Sequence, residues 1–561
     1  MDYFAAVRQG ETKAMKGPMT VNISHGRGKG GSSILKTDVR EALLGGKTFR
    51  SLSEQKLSPR EEKFERARMT SGFVLAPLVA IVFALIPMGL TYQQHMLAAI
   101  LLAVIVLWIT EPVPIPIGGL LGVGAVVVLG IVPAADAVGP FGSSTIFTFI
   151  GAFILAQAML HHGIAQRLAL TVLSLPGVGR SVYRVIIAFG LITCILSAFV
   201  SNTATVAMLM PTALGILAVI AELMQERGIV KQDFDPLRLR VGAALLLMLA
   251  YGASVGGLLT PVGSPPNLIG RGLIEEATGT KISFGQWIAV ALPICVAMFI
   301  ILAIVLLLLN KPEIRKIEGV EEYVRKELAE LGPVSRAEKN TLFAFGVTVV
   351  LWLLPAFAAL FTGTDSAIYD FLDSRLDEGI VAVIGASLLF VLPVDWKRRE
   401  PTLTWTQAAK IDWGTIILFG CGIIFGSLLA DTGLAETIGT GFADGMGVTS
   451  LLAITIVSVV LAILISETTS NTAAAAVIVP IVIPLCQAAG VDPFVPAMAA
   501  TFAASFGFML PVSTPQNAIV YGTGAVPITK MIRTGFSFDI VGAILIVVLV
   551  PVMIGVVGLG Q

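Results

Sequence analysis

Charge is scarce in this chain. Only 13% of its 561 residues are Asp, Glu, Lys or Arg, about half the share found in ordinary soluble domains. Neither sign is in surplus, with 37 acids against 37 bases. A nucleic-acid binder needs a basic surplus, and a disordered chain needs low hydrophobicity with high net charge, so both classes are excluded. Cysteine is equally sparse. Cys194, Cys295, Cys421 and Cys486 each lie in an apolar stretch and form no C-x-x-C pair. They read as small buried residues rather than a disulfide framework or a zinc site. The histidines number four: His25, His95, His161 and His162. The N-terminal region also lacks the apolar core and small-residue cleavage site of a secretory signal. What fills the chain instead is apolar, at 55% hydrophobic residues. At this length that points to a membrane protein with many spans.

Residues 1–68 carry fourteen Lys and Arg against eight Asp and Glu. They are expected to form a cytoplasmic basic tail, largely disordered up to Ser58, followed by a charged helix from Pro59 to Arg68. Fifteen apolar segments follow, from Phe73–Leu90 to Phe538–Val556. Several are too short to span a bilayer of about 30 Å alone. The stretch 161–184 has Arg167, Arg180 and Arg184, the stretch after Leu392 has Lys397, Arg398 and Arg399, and the last loop has Lys530 and Arg533. By contrast, 364–378 holds Asp365, Asp370, Asp373, Asp377 and Glu378 against Arg375, and Asp431, Glu436 and Asp444 are mostly unmatched. Basic loops face the cytoplasm. All basic loops fall inside and both acidic loops outside when 185–220 is a hairpin opening inward and 450–486 a hairpin opening outward. The prediction is an all-α polytopic membrane protein with about eleven transmembrane helices plus two re-entrant hairpins, its N-terminus in the cytoplasm.

The halves repeat. Phe149–Ala165 and Phe419–Ala435 both close on Gly-[Ile/Leu]-Ala. Ser201-Asn202-Thr203-Ala204 recurs as Ser470-Asn471-Thr472-Ala473, and Gly263-Ser264-Pro265-Pro266-Asn267 is echoed by Ser513-Thr514-Pro515-Gln516-Asn517. The order in both halves is span, Ser-Asn-Thr hairpin, broken span with Pro-x-Asn. An odd number of crossings between the copies inverts one relative to the other, and inverted repeats with interrupted helices mark secondary transporters. The expected organisation is a tail (1–68), scaffold helices (69–145), a first repeat (146–310), a charged cytoplasmic loop (311–340), further scaffold helices (341–412) and a second repeat (413–561).

Backbone that leaves a helix inside a bilayer must be satisfied by protein or line a cavity. A helix beginning at Ser-Asn-Thr points free N–H groups and a partial positive charge outward, which suits an anion. Carbonyls freed at the breaks, with Ser and Thr hydroxyls and the Asn amide oxygen, suit a hard cation such as sodium. Pro265 and Pro515 interrupt the second helix of each pair. Two cation sites flanking one anion is the construction these copies predict. Arg271 is the nearest base in sequence, so anion binding would depend on co-bound cations. Glu467 sits three residues before Ser470; it is expected to satisfy backbone N–H groups at the hairpin tip, with proton or cation handling as the other reading.

At these residues the chain resembles the divalent anion/sodium symporters, carriers of dicarboxylates, citrate and sulfate. The resemblance covers roughly residues 70–557 and rests on Trp413–Gly422, both Ser-Asn-Thr motifs, Tyr251–Gly270 and Met509–Gly524. It implies a homodimer in the cell (inner) membrane, each protomer with a scaffold domain and a transport domain moving as an elevator. It implies a first sodium site on Ser197, Ser201, Asn202 and Gly263 and a second on Ser466, Thr469, Asn471 and Ser513. The substrate carboxylates would meet Asn202, Thr203, Asn471 and Thr472, with Ser264, Pro265, Thr514 and Pro515 completing the pocket. The first break reads Gly-Ser-Pro where Gly-Thr-Pro is common, and the second Pro-Gln-Asn where Pro-Pro-Asn is common.

The leading expectation is sodium-coupled symport of C4-dicarboxylates such as succinate, malate or fumarate. A sodium-independent dicarboxylate exchanger, or a carrier of citrate or sulfate, are the alternatives within transport. An intramembrane hydrolase using Ser201 or Ser470 would need a base within reach, and no histidine lies in either hairpin. A channel would be expected to line its path with charge. No enzymatic activity and no nucleic-acid partner are expected; the partners are a small dicarboxylate, sodium and membrane lipid.

Overall fold

The computed structural model describes residues 59–559 apart from 231–235, 318, 364–365, 435–436 and 438–449. The tail 1–58 and the loop residues Asp365, Glu436 and Asp444 therefore lie outside the described residues. What is described is helical, save one small antiparallel pair, Pro393–Asp395 with Glu400–Pro401. The helix expected from Pro59 forms, and it continues without a break to Leu85 (α1), so the charged segment and the first span are one element.

Helix starts follow local chemistry. Thr91 with Gln94, Ser283 with Gln286 and Ser335 with Glu338 are reciprocal capping boxes that open α2 (Tyr92–Thr110), α10 (Phe284–Leu309) and α12 (Arg336–Thr362). Each satisfies N–H groups that the first helical turn leaves without a partner. Among the described residues, ten helices are long and apolar enough to cross a membrane. Their burial separates centre from periphery. The apolar window of α8 (Arg240–Gly257) is 94% buried, whereas that of Arg66–Leu85 is 11% buried and leaves an apolar face outward. This is the inside-out hydrophobicity of a chain solvated by lipid.

The remaining elements of the first half are α3 (Ile115–Val128), α4 (Ser144–His161), α5 (Ile164–Leu173), α6 (Val182–Ser197), α7 (Asn202–Glu226) and α9 (Pro265–Thr278). The charged stretch contributes α11 (Val320–Glu330), followed beyond α12 by α13 (Ala367–Arg375) and α14 (Glu378–Val391). The second half comprises α15 (Trp413–Asp431), α16 (Leu451–Thr468), α17 (Asn471–Ala488), α18 (Phe494–Ala503), α19 (Pro515–Gly522) and α20 (Ile528–Val557). Both copies of the repeat thus run hairpin (α6–α7, α16–α17), broken helix (α8–α9, α18–α19), long helix (α10, α20). The acidic stretch 364–378, read from sequence as a loop, contains the short helix α13, which Ser366 caps by accepting from Tyr369 N–H.

The copies interlock. Each hairpin's inner arm packs against the half-helix of the other copy: α17 against α9, and α7 against α19. Glycine allows the closest crossings: a methyl on Gly270 of α9 would overlap the Thr501 side chain of α18. The two breaks are therefore held in one packed block. Outside it, α4 packs closely along α14, where a methyl on Gly151 would collide with the backbone of Ala382.

Candidate functional site

Each hairpin tip begins with a serine cap. Ser201 Oγ accepts from Ala204 N–H at 3.3 Å, and Ser470 Oγ accepts from Ala473 N–H at the same distance. The helices α7 and α17 start at Asn202 and Asn471. Their first N–H groups have no acceptor within the helix, so each tip presents donors and the positive end of a helix dipole. Thr203 and Thr472 occupy this first turn and are half-buried.

Behind each tip the same hydrogen bond recurs. Ser197 Oγ donates to Asn202 Oδ1 at 2.6 Å, and Ser466 Oγ donates to Asn471 Oδ1 at 2.8 Å. All four residues are buried. The breaks are clamped in matching fashion. Asn267 Nδ2 donates to the carbonyls of Gly257 and Thr260 at 2.7 and 2.8 Å. Asn517 Nδ2 donates to the carbonyls of Gly507 and Leu510 at 2.7 and 3.1 Å. These bonds satisfy the Gly257 and Gly507 carbonyls that the helix interruption would otherwise orphan, and add a second donor to those of Thr260 and Leu510, which also accept from the N–H groups of Gly263 and Ser513. The asparagine of each Pro-x-Asn is thus a structural clamp, a role not assigned from sequence. Its constant distance of ten residues from the clamped glycine was the available signal.

In the first copy the break gathers oxygen. A methyl built on Gly263 would lie 2.6 Å from the Gly257 carbonyl oxygen, 2.9 Å from that of Ala198 and 3.1 Å from that of Ser197. A methyl on Gly257 would lie 2.5 Å from Asn202 Oδ1. The carbonyls of Gly257 and Ala198 also accept from Asn267 and from Thr260 Oγ1, leaving each a second lone pair. Among the described residues no base enters this cluster. An uncharged set made only of oxygen atoms suits a hard monovalent cation.

The second copy differs at several points. The position equivalent to Gly263 is Ser513, whose Oγ lies 2.9 Å from the Glu467 carbonyl and 2.8 Å from Glu467 Oε2. Glu467 Oε1 accepts from the N–H groups of Phe508 and Met509 at 2.5 and 2.8 Å. Glu467 does satisfy backbone N–H groups, but those of the adjacent break rather than of its own hairpin tip. Asn471 Oδ1 would lie 2.9 Å from a methyl on Gly507, so it borders the break as Asn202 does.

The predicted residues separate by role. Ser197, Asn202 and Gly263 come together, as do Ser466, Asn471 and Ser513. Ser201 caps its helix and is exposed. Thr469 Oγ1 donates back to the Ile465 carbonyl at 2.7 Å, which engages its hydroxyl hydrogen. Ser264 and Thr514 share one extended conformation, at φ −147 and −146. Thr514 Oγ1 accepts from Asn517 N–H, whereas the Ser264 side chain is not used as a cap. Pro265 and Pro515 each open the following half-helix. Arg271 does not serve the site. Its Nε donates to Glu275 at 2.9 Å and its Nη1 to Glu378 at 2.6 Å. Gln516, which departs from the family pattern, is buried and donates from Nε2 to Ser254 Oγ at 3.0 Å, tying the second break to α8.

Residues 67–557 match the sodium:sulfate symporter transmembrane region. The sodium-dependent dicarboxylate transporter SdcS of Staphylococcus saprophyticus is 32% identical over 505 residues, covering 89% of this chain and 94% of that protein. SdcS of Staphylococcus aureus is 31% identical over 496 residues, covering 86% and 92%. Among solved structures, MtrF of Neisseria gonorrhoeae, described with a class of antimetabolite efflux pumps, aligns with a TM-score of 0.50 at 14% identity, over 86% of this chain and 97% of that one. At that identity the likeness concerns the fold alone, an all-α polytopic membrane architecture. With the repeated hairpins, the clamped breaks and a match over nearly the whole membrane region, the chain belongs to the sodium:sulfate symporter family, the divalent anion/sodium symporters that its motifs resemble.

Proposed function

We propose that the chain is a sodium-coupled symporter of C4-dicarboxylates such as succinate, malate or fumarate. The observation that carries this reading is the duplicated Ser–Asn bond beside a clamped break, with three carbonyl oxygens gathered around Gly263. Sequence relatives named for sodium-dependent dicarboxylate transport cover most of the chain. Sodium is the co-transported substrate. One ion is assigned to Ser197, Ser201, Asn202 and Gly263, the other to Ser466, Thr469, Asn471 and Ser513. The dianion takes the donors at Asn202, Thr203, Asn471 and Thr472, bounded by Ser264, Pro265, Thr514 and Pro515.

The absence of a base from the half-sites gives the coupling its physical basis. Two anionic carboxylates brought against helix N-termini alone are poorly compensated in a low-dielectric site. Two cations close by supply the missing charge, so substrate binds well only after sodium. The repeats, 146–310 and 413–561, are proposed to move as an elevator against helices 69–145 and 341–412, in a homodimer surrounded by lipid in the cell membrane. The N-terminus is assigned to the cytoplasm from the basic loops. No enzymatic step is assigned.

The test is uptake of labelled succinate into proteoliposomes under an inward sodium gradient or an equal potassium gradient, each with and without internal succinate. Uptake into empty vesicles that requires sodium is the expected result. Uptake that ignores sodium but requires internal dicarboxylate would make the protein an exchanger. No succinate uptake in any condition would shift the substrate to citrate or sulfate.

A further inference from the structure

The exposed tryptophans of this chain lie in one short segment. Trp396, Trp405 and Trp413 are 66%, 67% and 42% exposed, whereas Trp108, Trp287 and Trp352 are buried. The segment joins α14 to α15 and holds the small antiparallel pair and a one-turn helix, Trp405–Ala408. The three buried indoles each donate to a backbone carbonyl, and Trp413 donates to that of Ala409 at 3.0 Å. Among the described residues the indole N–H groups of Trp396 and Trp405 have no acceptor.

Unpaired bases share this edge. The turn between the two strands is Lys397-Arg398-Arg399, all exposed. Asp395 Oδ1 accepts from the N–H groups of Lys397 and Arg398 at 2.7 and 3.3 Å, which holds the turn. Arg398 Nε is 3.9 Å from Asp395 Oδ2, an exposed contact of little strength. Asn340 of α12 donates from Nδ2 to the Pro393 carbonyl at 3.3 Å and to Thr402 Oγ1 at 2.8 Å, so the start of α12 stands beside the hairpin. Arg336 and Lys339, both exposed, lie in that first turn, where the helix dipole disfavours a cation. Glu338, the acid between them, is taken by Arg167. Among the described residues Arg336, Lys339, Lys397 and Arg399 have no ion-pair partner. The hairpin and the start of α12 thus set five exposed bases against the acids Asp395 and Glu400.

The apolar outer surface begins at the same level. Leu342 and Phe343, one turn beyond Lys339 on α12, are exposed, as is Val391 at the end of α14. Tryptophan and cations gathered where lipid-facing helices end mark the headgroup layer of a membrane. Free indole N–H groups and unpaired ammonium and guanidinium groups are donors without acceptors, and phosphate oxygens supply them. A second copy is a poor cover, because a two-fold contact through this patch sets base on base. We infer that the hairpin 393–401, the turn Trp405–Ala408 and the start of α12 form a docking surface for the headgroups of anionic phospholipids, which anchors α12 and α14 at one face of the membrane. That face is cytoplasmic in the orientation assigned from the basic loops. The inference rests on the chain spanning a membrane and not on which solute it carries.

The test is tryptophan fluorescence of the full-length protein in phosphatidylcholine vesicles that contain an equal minor share of brominated phosphatidylglycerol or of brominated phosphatidylcholine. Bromine quenches an indole only at close range. Quenching should be at least about twofold stronger with the brominated phosphatidylglycerol, as for anionic lipid enriched at this surface. The excess should vanish when Lys397→Gln, Arg398→Gln and Arg399→Gln are combined, and fall when Trp396→Phe and Trp405→Phe are combined. It should persist in Lys281→Gln, which removes an exposed base between α9 and α10. Quenching by brominated phosphatidylcholine reports insertion alone and should match the wild type in the charge variants. Equal quenching of the wild type by the two lipids would overturn the inference, as would an excess that survives the triple variant. Quenching by neither lipid would also overturn it, and aqueous iodide would then separate a segment standing in water, which it quenches, from one covered by a second copy, which it does not.

Discussion

Asn202 accepts a 2.6 Å hydrogen bond from Ser197, a residue five positions earlier on the opposite arm of the first hairpin. The bond fixes the amide oxygen beside the break in α8, and the second copy repeats it between Ser466 and Asn471. Replacing Asn202 or Asn471 by alanine removes the oxygen; it leaves the buried Ser197 hydroxyl without its acceptor, whereas the Ser466 hydroxyl keeps the Ala504 carbonyl at 2.8 Å. Sodium-driven uptake should fall at least about tenfold in each variant, the scale of one lost charge-assisted bond, with expression retained. Uptake at the wild-type rate by either variant would remove that asparagine from the site.

Thr203→Ala and Thr472→Ala should act on substrate rather than on folding. Both threonines lie in the first turn beside free N–H donors, where a hydroxyl can meet a carboxylate. The half-saturation concentration for succinate should rise about tenfold in each, as for one hydrogen bond to a charged group. A concentration unchanged in both variants would exclude them from the pocket.

Gly263→Ala tests the carbonyl cradle directly. The added methyl would stand 2.6 Å from the Gly257 oxygen and 2.9 Å from the Ala198 oxygen, so it fills the place proposed for the first ion. The sodium half-saturation concentration should rise at least tenfold, on the order of 1.4 kcal/mol of lost binding. An unchanged sodium dependence would show that no ion uses this cluster.

The clamps predict stability effects. Asn267→Ala deletes two hydrogen bonds and orphans the Gly257 carbonyl, while the Thr260 carbonyl keeps the Gly263 N–H; Asn517→Ala likewise orphans the Gly507 carbonyl, while that of Leu510 keeps the Ser513 N–H. Each should cost about 2–4 kcal/mol, read as a lowered midpoint in thermal unfolding of the purified protein. A midpoint that stays in place would mean that other groups hold the break.

Arg271 offers a contrasting test. It is buried between Glu275 and Glu378, and Glu378 also accepts from the N–H of Phe284. Arg271→Ala would leave two carboxylates facing each other and should destabilise by about 3–5 kcal/mol. Arg271→Met combined with Glu378→Gln should recover part of that loss, because the uncompensated charge is reduced. Equal instability of the single and double variants would count against the ion-pair explanation.

Much of this architecture was legible in the chain because its signals are local. Capping boxes, apolar runs and the proline after each break depend on neighbours a few residues away, so α2, α10 and α12 and both interrupted helices could be read from the residues. The duplicated Ser-Asn-Thr was legible for another reason: a repeated motif marks a site without any need for geometry. Arg271 was legible only as the base nearest the first break in sequence; its pairing with Glu378 could not be read, because that partner comes from a distant helix.

The sequence alone settled that this is a polytopic helical protein of lipid, built from two related halves, with polar breaks at Ser-Asn-Thr and Pro-x-Asn. Hydropathy, capping and repetition are properties of residue order. Only tertiary packing decided which oxygens gather around Gly263, which backbone N–H groups Glu467 satisfies and that Arg271 pairs with Glu378. Those outcomes depend on burial and on partners far away in the chain, and a buried polar group takes its character from whatever completes its hydrogen bonds.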